Sequence, residues 1–159
     1  MPLPRLVQDD GRFRHIIARR KLNAIGPGPH DAMPDHMPRL ILVVENDPPL
    51  LQTLAETVTA LGYDATLATT AADGMTLAEV APPVAIILDI AVPELTGMTT
   101  LDRLKMLHPG VPIIMVAPAA AEGFAREMLK HGAFDYVTKP LNVGHLTEVL
   151  RAAVRRSAD

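Results

Sequence analysis

The chain has 159 residues, 48% hydrophobic and 21% charged, enough for one ordinary domain that buries roughly two-thirds of its unfolded surface. It contains no cysteine, which excludes disulfide scaffolds, thiol catalysis and cysteine-based zinc sites. The net charge of −3 offers no general attraction to nucleic acid, and apolar runs such as Leu40–Val44 fall far short of the roughly 20 residues of a bilayer span. In chain order, residues 1–37 come first and read as a flexible N-terminal extension, with no core of their own. Arg5, Arg12, Arg14, Arg19, Arg20 and Lys21 stand there against Asp9, Asp10, Asp31 and Asp35, a net of +2. The one helix-like stretch, Phe13 to Leu22, could form a basic amphipathic helix. His30 and His36 lack the companions of a metal site, and Met37 stands just before the folded pattern as an alternative start. Arg19-Arg20 leads into no hydrophobic segment, so export is not expected and a cytoplasmic location is the default.

From residue 38 to 159 the pattern alternates, and this stretch reads as a single domain with no output domain. Leu40–Val44 is a β-branched run suited to a strand buried on both faces. Pro48-Pro49 opens a helix whose apolar stripe is Leu51, Leu54, Val58 and Leu61, and Gly62 stops it. Ala65–Thr69 is a weaker strand; Thr70 with Asp73 caps a second helix to about Val80. Val84–Leu88 is an apolar strand ending at Asp89, followed by a loop and a helix from about Met98 to Leu107. Pro112–Val116 is the fourth strand, Ala120–Lys130 the fourth helix, Phe134–Val137 the fifth strand and Val143 to Arg156 the last helix. His108, His131 and His145 fall at element ends, where solvation is the simplest reading.

Five strands alternating with five helices predict an α/β fold, a doubly wound five-stranded parallel sheet of order 2-1-3-4-5. In such a sheet ligands bind beyond the carboxyl ends of the strands. Glu45, Asn46 and Asp47 follow the first strand, Asp89 the third, Ala117 and Pro118 the fourth, and Lys139-Pro140 the fifth. Carboxylates and one lysine gathered at that edge suit a hard cation and a phosphoryl group, with Asp89 as a carboxylate nucleophile and Lys139 as a point charge.

ILVVENDP, IILDIAVPELTG, PIIMVAP and GAFDYVTKPL, in this order, closely resemble the receiver domain of bacterial two-component response regulators, a flavodoxin-like fold. The resemblance covers about Arg39 to Arg156. It implies that Asp89 accepts a phosphoryl group from a histidine kinase or phosphotransferase, and that Glu45 and Asn46, with Asp89 and the carbonyl of Ala91, hold magnesium. It further implies that Lys139 contacts the phosphoryl group beside a cis proline, and that Tyr136 matches the aromatic that rotates on activation, although with no hydroxyl at Ala117 to partner it Tyr136 also reads as a half-buried edge aromatic. Departures at Asn46, Ala117 and Pro118 weaken this site. Asn46 removes a negative charge beside the cation, so magnesium should bind weakly. Ala117 replaces a Thr or Ser, and Pro118 lacks the next N–H, so two donors to a charged group are gone, each typically worth about 1.5–3 kcal/mol.

Two functions follow as expectations. The first is a stand-alone receiver in a phosphorelay, an acceptor domain rather than a turnover enzyme, which passes its signal to a downstream effector protein. The second is a phosphorylation-independent pseudo-receiver that acts as an interaction module. A haloacid-dehalogenase-like phosphatase needs Asp-x-Asp and meets Asp89-Ile90-Ala91 instead. No nucleic acid or membrane partner is expected. A weak homodimer is expected through the face of the fourth helix, fifth strand and fifth helix, where Arg126, Lys130, Asp135 and Arg151 could pair.

Overall fold

The run Leu40–Val44 has no polar side because both of its faces are covered. In the computed structural model, which describes residues 5–9, 13–18, 39–93 and 96–158, Ile41 and Val43 face one hydrophobic layer while Leu42 and Val44 face another. Strand β3 (Leu40–Val44) is followed by α1 (Pro48–Ala60), β4 (Asp64–Ala68), α2 (Ala71–Val80), β5 (Ala85–Asp89) and α3 (Gly97–Leu107). Then come β6 (Ile113–Pro118), α4 (Glu122–Lys130), β7 (Asp135–Lys139) and α5 (Val143–Ala158). Helices α1 and α5 supply Leu54, Val58, Leu146 and Leu150 to the first layer; α2, α3 and α4 supply Leu77, Leu104 and Met128 to the second. The spatial order β4-β3-β5-β6-β7, parallel throughout, is the expected 2-1-3-4-5 arrangement.

Local signals act where the sequence places them. Pro48 and Pro49 open α1, and Gly62 ends it with φ +95°, a backbone region that side-chain-bearing residues avoid. Thr70 Oγ1 accepts from the Asp73 N–H at 3.1 Å and caps α2. The Lys139-Pro140 bond is cis.

Three readings need correction. No strand is predicted before Leu40, yet β1 (Arg5–Asp9) and β2 (Phe13–Ala18) pair antiparallel, and β2 adds to the outer edge of β4. Phe13, Ile16 and Ile17 favour strands, and β4 presents an open edge, so pairing wins over the helical reading of Phe13 to Leu22. Residues 10–12 and 19–38, with His30, His36 and Met37, lie outside the described residues. The second correction concerns strand ends: β6 reaches Pro118 and β7 reaches Lys139, because the two ladders run on through Ala117↔Thr138 and Pro118↔Lys139. The third is His108, which is half-buried and bonded rather than simply solvated. Its Nε2 lies 2.7 Å from the Ala78 carbonyl oxygen and ties the end of α3 to α2, so the ring donates there.

Candidate functional site

The carboxyl ends of β3, β5 and β7 bring together three charged side chains far apart in sequence. Glu45 directly follows β3, Asp89 is the last residue of β5, and Lys139 is the last of β7. Lys139 Nζ donates to Asp89 Oδ2 at 2.7 Å and lies 3.7 Å from Glu45 Oε1. Asp89 Oδ1 accepts from the Ala91 N–H at 2.8 Å, and Glu45 Oε1 from the Asp47 N–H at 3.1 Å. Both carboxylates are almost wholly buried, Glu45 at 1% and Asp89 at 2% exposure, while Lys139 remains half-buried.

Burial sets the protonation states. It pushes the Glu45 carboxyl up to about 8, and the neighbouring Asp89 carboxylate adds to the rise. Burial also opposes the charge of Asp89, but the neighbouring Glu45 carboxyl and the hydrogen bonds from Lys139 and the Ala91 N–H outweigh it and hold that carboxyl below its ordinary range. Lys139 loses solvation as well, and the hydrogen bond and charge of Asp89 nevertheless keep its ammonium above the usual range. At neutral pH the cluster is therefore a neutral Glu45, an ionised Asp89 and a charged Lys139. Two acids differently tuned by environment beside a fixed cation form the kind of constellation found where chemistry is done.

Glu45 Oε2 is buried without a hydrogen-bond partner. Once Glu45 has lost its proton, that orphaned oxygen beside the buried Asp89 carboxylate fits a hard divalent cation such as magnesium. Among the described residues no group of three or more His, Cys, Asp or Glu is arranged to hold a metal ion. Exposed Asn46 and the exposed Ala91 would have to supply carbonyl oxygens, with water completing the shell.

Ala117 is fully buried in β6, and exposed Pro118 follows it in the ladder. Tyr136 is half-buried against the α2–α4 layer. Its hydroxyl donates to Glu122 Oε1 at 2.8 Å, and Arg126 of the same helix donates to Glu122 at 3.3 Å and to the Tyr136 oxygen at 3.4 Å. Glu122 is the residue sequence reasoning misses; an acidic residue in the first turn of a helix reads as a dipole partner, and its contact with a strand 14 positions later has no local signal. Arg151, expected on the α4–β7–α5 face, belongs to α5 (Val143–Ala158). It lines a cavity with Arg39 and Leu61 on the α1 side of α5. Arg126 and Lys130 pair with Glu122 and Glu127 of their own helix.

The family model of the response regulator receiver domain matches residues 41–151. The chain is similar to the transcriptional regulatory protein KdpE of Mycobacterium tuberculosis, 34% identical over 118 residues that cover 74% of this chain and 52% of KdpE. It is also similar to the probable transcriptional regulatory protein TcrX of that organism, 34% identical over 127 residues, 77% of this chain and 53% of TcrX. The chain thus spans about half the length of these two curated relatives. Among solved structures, the CheY-like response regulator receiver domain protein of Methanospirillum hungatei aligns with a TM-score of 0.71 at 27% identity, over 77% of this chain and 98% of that one.

Proposed function

The chain belongs to the response regulator receiver domain family of two-component systems, and from that premise we propose that Asp89 is its phosphoryl acceptor. The observation that carries this reading is the buried Asp89 carboxylate with Lys139 Nζ at 2.7 Å, at the carboxyl edge of the sheet. The donor is a phosphohistidine of a histidine kinase or phosphotransferase. An Asp89 oxygen attacks phosphorus as the phosphorus–nitrogen bond breaks; the imidazole leaves with the electron pair and is protonated, and an acyl phosphate remains on Asp89. The lowered affinity of Asp89 for protons keeps the nucleophile ionised. Lys139 holds Asp89 in place beforehand and lies within reach of the incoming phosphoryl oxygens. The Ala91 N–H fixes the second carboxylate oxygen and so the direction of attack.

Glu45, Asn46, Asp89 and the Ala91 carbonyl would hold magnesium, which when bound neutralises charge on the phosphoryl oxygens. Affinity is weak because Asn46 is neutral and Glu45 must first give up its proton. The acyl phosphate is poorly held, since Ala117 has no hydroxyl and Pro118 no N–H. The signal passes in the cytoplasm to an effector protein, and self-association through the α4–β7–α5 face is weak.

A second reading, a phosphorylation-independent interaction module, is favoured by one observation. The Tyr136 hydroxyl is already engaged by Glu122 at 2.8 Å, with no hydroxyl at Ala117 to draw the ring elsewhere. Phosphorylation then has little differential contact with which to shift the Tyr136 orientation. Incubation with acetyl phosphate or beryllofluoride and magnesium, read by mass spectrometry and NMR, separates the two. Modification lost in Asp89→Asn, with shifts at Ala117–Ala121 and Tyr136, supports the acceptor reading; no modification of Asp89 leaves the interaction module.

A further inference from the structure

Three exposed arginines line one open concavity at the amino ends of the strands. Arg39 directly precedes β3, and Arg151 and Arg155 stand one turn apart on α5; with Leu61, Tyr63 and Val154 they line a cavity of about 560 Å³. The Arg39 guanidinium lies 5.0 Å from the centroid of the Tyr63 ring, which fixes its orientation. No ion pair joins Arg151 or Arg155 to a described carboxylate. Like charges one turn apart repel, so the pair is unfavourable until an anion arrives. The negative end of the α5 dipole accounts for Arg155, in the last turn, but for neither Arg151 nor Arg39. Residues 38–159 carry nine Lys and Arg against fourteen Asp and Glu, so three arginines in one cavity run against the surrounding charge.

We propose that this cavity binds the phosphates of a phosphate-bearing small molecule. Forked guanidiniums match phosphate oxygens two at a time, and three of them suit a multiply charged group better than a single carboxylate. Leu61 and Val154 provide an apolar wall for the remainder of the ligand, and the volume lies in the range of small-molecule sites. The five residues of β3, about 17 Å at ~3.3 Å each, separate this cavity from Glu45, so the two sites can be told apart.

The test is titration of the full chain, in EDTA to silence cation-dependent binding at Asp89, with ATP, tripolyphosphate and adenosine. Binding is read by calorimetry and by NMR of the backbone and arginine side chains. Saturable binding of ATP or tripolyphosphate is expected, with shifts at Arg39, Leu61, Tyr63, Arg151 and Arg155 and none with adenosine. The double variant Arg151→Gln/Arg155→Gln should bind at least tenfold more weakly at an unchanged melting temperature, whereas Asp89→Asn should bind normally. Tighter binding of ATP than of tripolyphosphate assigns the site to a nucleotide, and equal binding assigns it to the phosphate chain alone; both support the proposal. No saturable binding at millimolar ligand, shifts confined to the Asp89 end, or full binding by the double variant would overturn it. So would tighter binding of a polyglutamate peptide, which would make the occupant an acidic protein segment.

Discussion

Glu45 and Asp89 are neighbours that the fold pushes in opposite directions, and the signs have separate consequences. Glu45 titrates near 8 in the folded chain against an ordinary value of 4.5, so the folded state keeps a proton that the unfolded chain has released. The stability this contributes is complete below about pH 4.5 and is lost as the pH rises through about 8. Asp89 acts the other way: its folded value lies below 3.8, so its contribution is present above that pH and lost on acidification. Metal-free urea unfolding should therefore show stability falling between about pH 4.5 and 8, and Glu45→Gln should flatten that slope. An unchanged slope in the variant would refute the assignment to Glu45. At Ala117 the expectation concerns lifetime. Ala117→Thr restores one donor to a charged group, about 1.5 kcal/mol or more, so the phosphorylated form should persist about tenfold longer in a phosphate-release assay.

The loop after β5 depends on the start of α3. A Cβ on Gly97 would lie 2.7 Å from the Met128 tip and 2.8 Å from the Ile90 Cα. The methionine can yield but the backbone cannot, and Ile90 adjoins Asp89. Gly97→Ala should destabilise the fold by about 1–3 kcal/mol in thermal unfolding and reduce modification of Asp89; full modification would show that the loop absorbs the change. Gly97 was visible in the sequence only as part of a motif, since its close approach to Ile90 is tertiary. Much else was legible element by element. Runs of apolar residues marked β3, β5 and β6, prolines and glycines marked where α1 begins and ends, and the alternation set the strand order. The carboxyl-end rule of such sheets puts Glu45, Asp89 and Lys139 at one edge from their positions in the chain alone. The proton held by Glu45, the hold of Glu122 on Tyr136 and the His108–Ala78 contact between α3 and α2 were not legible. Each depends on burial or on pairs of residues from different elements, which periodicity does not encode.

At the scale of the whole molecule, Glu45, Asp89 and Lys139 gather at the carboxyl edge of the sheet, while Arg39 and the α5 residues Arg151 and Arg155 stand at its amino end, where β4 and β7 begin with Asp64 and Asp135. The α4–β7–α5 side carries the partly exposed Phe124, at 42%, beside Arg126 and Lys130, whose charges are engaged within α4. Weak, concentration-dependent dimers are the most this face should support, and sedimentation velocity of the chain and of Asp135→Arg should show dimerisation lost in the variant; a strict monomer at high concentration would exclude it. The strand order has a kinetic consequence. Central strand β3 finds both its parallel neighbours, β4 and β5, in the chain that immediately follows it, whereas β6 and β7 join later and on one side only. Residues 39–89 can thus close their loops before the rest of the sheet exists, and they should form the nucleus on which β6 and β7 condense. In stopped-flow experiments, Val43→Ala should then chiefly slow refolding, while Val137→Ala should chiefly accelerate unfolding.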